Sequence, residues 1–156
     1  MDSPKLSILI PTHGRPSIER AVCSYLPQMH PGDELLVIGD CVDGPLTRTE
    51  EILAKYWPQV RYIPTNHGVH TYGHRELCSG LEMAVGDYIV CNDDDDVATD
   101  DALAVIRAVI VQLPEPAPLP DGWRRGGTVT CSHYWGLLCL HGRGRTRVEA
   151  EALRVP

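Results

Sequence analysis

Apolar positions in the first 112 residues switch regularly between a run-like and a helical pattern. Lys5-Leu-Ser-Ile-Leu-Ile10 is apolar and β-branched, which predicts a strand ending at Pro11. Thr12-His-Gly-Arg-Pro16 reads as a turn, and Pro16 suits the first position of a helix. Ile18, Ala21, Val22 and Tyr25 then recur at helical spacing until Pro27 and Pro31-Gly32 end the helix. A second strand is predicted over Glu34–Gly39, with a loop at Asp40-Cys-Val-Asp-Gly44-Pro45. An amphipathic helix follows from Thr47 to Trp57, stopped by Pro58, and a short third strand from Val60 to Ile63. A long loop through Asn66-His-Gly68 and His70 to Tyr72 leads into a helix over 74–84, with Leu77, Leu81 and Ala84 on one face. The strand 87–91 and a helix at about 100–112 complete the series. Strict β-α alternation predicts an α/β fold: a parallel sheet covered by helices, with right-handed crossovers.

The pattern breaks at residue 113. Leu113-Pro-Glu-Pro-Ala-Pro-Leu-Pro120 has proline at every second position, an extended connector that cannot be helical. Three regions are therefore expected: an α/β core over 1–112, a Pro-rich connector over 113–122, and a C-terminal segment over 123–156. Thr128 to Ser132 and Tyr134 to Leu140 suit two strands and Gly142-Arg-Gly-Arg145 a turn, so the extension is expected to be short and β-rich.

Four consecutive aspartates, Asp93 to Asp96, follow the fourth predicted strand directly. Carboxylates crowded at the end of a buried strand repel one another. A divalent cation such as Mg²⁺ or Mn²⁺ relieves this with oxygen ligands. A solvated acidic loop before the next helix, with Thr99, Asp100 and Asp101 at its start, is the plainer explanation. Three further sites fall on the same edge of a parallel sheet. These are Thr12 and Arg15 after the first strand, Asp40 after the second, and Arg75 at the helix start before the fourth. Ligands of open α/β sheets bind at the carboxyl ends of the strands. An anion-binding group, a hydrogen-bond acceptor and a carboxylate cluster on one edge together suit a nucleotide diphosphate.

Composition narrows the field. With 156 residues, 43% hydrophobic and 22% charged, the chain suits a soluble globular domain. The longest apolar run is too short for a transmembrane segment and the N-terminus lacks a signal-peptide pattern, so a cytoplasmic location is expected. A net charge of −7 argues against nucleic-acid binding. The charge is uneven: residues 1–122 hold 19 acidic and 8 basic side chains, residues 123–156 only 2 acidic against 6 arginines. Those arginines suit phosphates, an acidic acceptor or a membrane surface, and equally a solvated tail. The six cysteines form no C-x-x-C pair and are expected as reduced, buried thiols.

Three strings stand out over residues 5–112: LSILIPTHGRP (6–16), LLVIGDCVDGP (35–45) and TNHGVHTYGHRELCSGLEMAVGDYIVCNDDDDV (65–97). Through them the chain resembles family 2 glycosyltransferases of the GT-A fold, the first being similar to that family's strand and P-T-Y-N-R-P and the second to its V-V-D-D-G-S-type loop. Residues 65–97 resemble its succession of N-x-G, A-R-N-x-G and G-D-Y-I-x-x-L-D-D-D-D. The resemblance implies a Rossmann-like, mostly parallel sheet with helices on both faces. It also implies a hexosyltransferase-type enzyme moving a sugar from a nucleotide-diphosphate sugar, UDP-linked by family habit, to a hydroxyl acceptor with inversion. By the same carry-over, Pro11, Thr12, Arg15, Asp40, Arg75 and Asp93 would contact the nucleotide, with Asp40 accepting from the base. Asp95, with Asp93, would ligate Mn²⁺ or Mg²⁺; Asp96 would extend the cluster, and Asp94 would be a bystander. A metal bridging the two phosphates suits a leaving nucleoside diphosphate, and a carboxylate base suits the attacking hydroxyl.

The chain departs from the family pattern in places. Position 39 is Gly where many members are acidic, Glu76 replaces an Asn, and Asn92 replaces an apolar residue. No E-D pair follows residue 112, so the base is open, with Asp96 and Asp121 as candidates. His133 or His141 is a candidate third metal ligand. The acceptor (glycan, protein or lipid) would meet a minimal C-terminal segment, another subunit of a homo-oligomer, or nothing. The last case makes the chain a catalytically incomplete nucleotide-sugar-binding module. Other classes fit worse. A haloacid-dehalogenase phosphatase needs a downstream lysine, and only Lys5 and Lys55 exist. An EF-hand fails at Val97 and Ala98, and a nucleotidyltransferase lacks its G-x-G-T-R loop.

Overall fold

A computed structural model describes residues 3–40, 46–65, 73–112, 140–142 and 145–148. Four strands, β1 (Leu6–Thr12), β2 (Glu34–Asp40), β3 (Val60–Thr65) and β4 (Tyr88–Cys91), form one sheet in the order β3-β2-β1-β4. Every pairing in it is parallel. The helices α1 (Ile18–Tyr25), α2 (Leu46–Ala54), α3 (His74–Met83) and α4 (Ala102–Gln112) alternate with the strands. This is the predicted α/β order. All seven residues of β1 are buried, as a central strand covered on both faces requires.

The two faces carry separate cores. Ile8, Ile10, Leu35 and Val37 pack with Ile18, Val22 and Tyr25 of α1, Leu53 of α2 and Leu103 and Ile110 of α4. Leu9, Leu36, Ile38 and Ile63 point the other way, onto Leu77 of α3 together with Ala84 and Ile89. Period-two alternation along the strands thus feeds three helices on one side and one on the other. The predicted inward stripe of α1 is the observed one: Ile18, Ala21, Val22 and Tyr25 are its buried residues. Cys23 and Cys78 lie off the inward stripes of α1 and α3 and are exposed, which corrects the expectation of buried thiols; Cys91 is half-buried, and none of the three is in a disulfide.

Two boundaries differ from the sequence reading. The helix predicted to reach Trp57 ends at Ala54. Tyr56 and Trp57 donate to the carbonyls three residues back, Leu53 and Ala54, so the chain tightens before Pro58, which disfavours helix in its predecessor. The third strand runs on through Pro64 to Thr65, tolerable because β3 is an edge strand.

Gly86 fixes the entry of β4. Its N–H donates to Ser7 Oγ at 2.8 Å, and Ser7 Oγ donates to Glu34 Oε1 at 2.6 Å. A Cβ on Gly86 would lie 2.6 Å from the Ser7 nitrogen, so only glycine permits this approach. The resulting register pairs Leu9 with Cys91 and brings the aspartate run beside the end of β1.

In the C-terminal segment the described residues form an antiparallel hairpin of β5 (Leu140–Gly142) and β6 (Arg145–Val148), with Gly142 opposite Arg145. The turn expected at 142–145 falls on residues 143–144, which, like the connector 113–122 and the expected strand at 128–132, lie outside the described residues. Among the described residues no helix is long and apolar enough to cross a membrane.

Candidate functional site at the carboxyl edge of the sheet

Parallel strands put the ends of β1, β2, β3 and β4 on one edge, and the sequence candidates gather there. Thr12, at the end of β1, is 2% exposed. Its hydroxyl donates to Asp94 Oδ2 at 2.6 Å and accepts the Gly14 N–H at 3.0 Å. Gly14 has φ +81°, so the turn after β1 closes back on the hydroxyl that ties it to the aspartate run. Arg15 leaves this turn toward the run. Its Nη1 donates to Asp95 Oδ2 at 2.9 Å and lies 3.5 Å from Asp94 Oδ1.

Asp94, expected from the sequence as a bystander to cation binding, thus ties the run to the end of β1. It is the buried member of the run, 6% exposed, while Asp93, Asp95 and Asp96 face solvent. Four like charges in a row separate into one carboxylate turned inward, satisfied by a hydroxyl and faced by a guanidinium, and three turned outward.

Asn92, a departure from the family pattern, shapes this loop. Its backbone N–H continues the ladder to Leu9 O at 3.0 Å, and its side-chain amide donates to Asp93 O at 2.8 Å and Asp96 O at 3.2 Å. An apolar residue there could not hold these carbonyls. The chain beyond is anchored from the other side of the core: Ala98 N donates to Ser24 Oγ, and Gln28 receives Leu103 N and donates to Thr99 O. Gln28 thus caps an orphan amide at the start of α4, a task the plainer reading gave to the acidic loop.

The departure at position 39 is accounted for by packing. A Cβ at Gly39 would meet the Tyr62 hydroxyl at 2.2 Å, so the tyrosine fills the space an acidic side chain would need. Glu76, in the first turn of α3, is fully buried. That burial was not foreseen, since a glutamate beside Arg75 reads as a solvated helix residue.

Arg75 is exposed, one residue past the start of α3. Gly73, at the N-cap, abuts buried Pro11, whose Cβ and Cγ would lie 3.0 Å from an added Cβ, so Arg75 begins its helix close to the end of β1. Asp40 ends β2, in register with Thr65 at the same edge. Its side chain, like that of His141 in β5, is not among those described; Asp121 and His133 lie outside the described residues.

Beneath the run, burial pushes the Tyr25 phenol up to about 12, helped by the Asp96 carboxylate and by Cys91. A cavity of about 340 Å³ lies at the opposite edge, among strand starts, where Glu34, Pro58 and Arg61 are part of its wall. It is remote from every strand-end motif, so the carboxyl edge remains the candidate site.

The exposed carboxylates fit a hard divalent cation that completes its shell with a ligand's oxygens. Mg²⁺-type sites commonly use one or two carboxylates with substrate phosphates and water. Among the described residues no three His, Cys, Asp or Glu side chains converge as a self-sufficient cage. Asp93 and Asp95 are exposed on either side of buried Asp94.

Comparison with known proteins agrees with this architecture. The sequence model of glycosyl transferase family 2 matches residues 7–126. WcaA of Escherichia coli (strain K12), assigned as a colanic acid biosynthesis glycosyl transferase, is 30% identical over an alignment of 123 residues that covers 72% of this chain and 40% of WcaA. S. aureus TarS 1–349, solved in complex with UDP-GlcNAc, superposes with a TM-score of 0.58 at 24% identity, covering 69% of this chain and 31% of that one. The mannosyltransferase PcManGT from Pyrobaculum calidifontis, solved with GDP-Man and Mn²⁺, gives 0.56 at 21% identity, covering 68% and 32%. The chain thus spans less than half the length of these relatives. At such identities the structural likeness shows the shared fold.

Proposed function

Because this chain belongs to glycosyl transferase family 2, we propose that it binds a nucleotide-diphosphate sugar at the carboxyl edge of its sheet and transfers the sugar to a hydroxyl acceptor. The observation that carries this is the joined end of β1 and β4, where Thr12, Asp94, Arg15 and Asp95 form one bonded group beside exposed Asp93. TarS in complex with UDP-GlcNAc, and PcManGT with GDP-Man and Mn²⁺, support a nucleotide-sugar donor and a divalent ion. We favour UDP as the nucleotide.

Each side chain then has a task. Asp40 accepts a hydrogen bond from the base. Pro11 and Thr12 form the floor under the nucleoside, with the Thr12 hydroxyl already committed to Asp94. Arg75, exposed at the start of α3, offers a guanidinium to the diphosphate. Asp93 and Asp95 would hold Mn²⁺ or Mg²⁺. When bound, that ion supplies Lewis-acid neutralisation of the charge developing on the leaving diphosphate. Asp96, exposed on the same rim, is the candidate base for the acceptor hydroxyl, which then displaces the diphosphate with inversion.

A screen of nucleotide sugars with Mn²⁺ tests the proposal. One donor should raise the melting temperature and be slowly hydrolysed, with hydrolysis lost in Asp95→Asn. Binding without turnover over a full donor and acceptor panel would make the chain a nucleotide-sugar-binding module. No stabilisation by any nucleotide sugar would refute the donor site.

A further inference from the structure

We propose that Arg15 is a built-in counter-ion for the metal-ligating carboxylate, released to the donor's diphosphate when a divalent cation takes its place. The inference rests on the reading of Asp95 as a cation ligand.

One guanidinium nitrogen reaches both inward and outward members of the run, Asp95 at 2.9 Å and Asp94 at 3.5 Å. The two contacts differ in permanence from the one beside them. Thr12 and Asp94 are buried, and their bond belongs to the core. The side chains of Arg15 and Asp95 are 55% and 57% exposed, so theirs is a weak, solvated pair. Arg15 can leave Asp95 without disturbing the core, because Thr12 and Gly14 hold the turn in place.

The arrangement has a clear electrostatic purpose. Without ligand, crowded aspartates need a positive partner, and Arg15 supplies it. A divalent ion at Asp95 removes that need and repels the guanidinium. An incoming diphosphate is then the strongest nearby acceptor for a forked donor. Arg15 therefore opposes metal binding when the nucleotide is absent and favours nucleotide binding when the metal is present. A purely structural arginine would not change these two affinities in opposite directions.

Calorimetric titration of wild type, Arg15→Ala and Asp95→Asn reads both. Mn²⁺ alone should bind Arg15→Ala about two- to five-fold more tightly than wild type, the range set by an exposed ion pair. UDP, titrated at saturating Mn²⁺, should bind Arg15→Ala several-fold more weakly, on the order of a lost charge-assisted hydrogen bond. Equal Mn²⁺ affinities in wild type and Arg15→Ala, with uptake lost in Asp95→Asn, would overturn the role of Arg15 while leaving the cation reading intact. Mn²⁺ uptake by neither wild type nor Arg15→Ala would overturn both. Circular dichroism of Arg15→Ala should match wild type, since the residue is exposed.

Discussion

Thr12 and Asp94, 82 residues apart in the chain, share a buried hydrogen bond of 2.6 Å that joins the turn after β1 to the aspartate run after β4. Removing the hydroxyl leaves a buried carboxylate short of a donor, which costs about 1–3 kcal/mol. Thr12→Val should therefore lower stability to urea by about that amount, and Thr12→Ser should recover most of it. Equal stability of all three proteins would show that Asp94 finds solvent or another donor.

Position 39 is glycine because Tyr62 occupies the space beside it. An added Cβ would sit 2.2 Å from the tyrosine hydroxyl and 2.8 Å from its ring. Gly39→Asp should destabilise the fold by about 1–3 kcal/mol through overpacking. Combining it with Tyr62→Ala should cost less than the two single changes together, because the clash is gone. Strict additivity in a double-mutant cycle would mean that the two residues do not compete for space.

The pattern of apolar residues was enough to read the four strands, the four helices and their order, since burial on one face of a helix imposes a period that Ile18, Ala21, Val22 and Tyr25 display openly. The strand-end location of Thr12, Arg15, Asp40, Arg75 and the aspartates followed from parallel topology alone. Which aspartate turns inward was not legible. That choice depends on Asn92 holding the carbonyls of Asp93 and Asp96, and on a hydroxyl donated from a distant strand. Four identical neighbours carry no local signal to separate them. The burial of Glu76 was hidden for a similar reason, being set by tertiary packing. Of the two candidate bases, Asp96 is exposed on the run and Asp121 lies outside the described residues.

Tyr25 makes stability fall at alkaline pH. Burial raises its phenol from 10.0 to about 12, with Asp96 and Cys91 adding to the shift. Below pH 10 the phenol is neutral in both states and its contribution is complete. Between about pH 10 and about pH 12 the unfolded chain ionises while the folded one does not, so stability is lost as pH rises. The loss amounts to about 3 kcal/mol at 1.36 kcal/mol per unit. Urea unfolding of wild type and Tyr25→Phe across this window should show a shallower decline in the variant. Parallel declines would place the alkaline sensitivity elsewhere.

Asp40 and Asp95 should separate the two halves of the proposed ligand. Asp40 ends β2 and Asp95 follows β4, with β1 between them in the sheet, so one can be altered without touching the other. A ligand bound only by the folded state stabilises it by about 2.7 kcal/mol at a hundred-fold excess over its Kd. UDP with Mn²⁺ should therefore raise the melting temperature of wild type well beyond either alone, because nucleotide and ion complete one another's coordination. Asp40→Ala should weaken the gain from UDP while Mn²⁺ still binds. Asp95→Asn should abolish Mn²⁺ uptake and with it the joint gain, leaving a small response to UDP alone. Loss of both ligands in Asp40→Ala would mean that the base-recognising carboxylate is part of the cation site, and the two ends of the nucleotide would have to be reassigned along the edge.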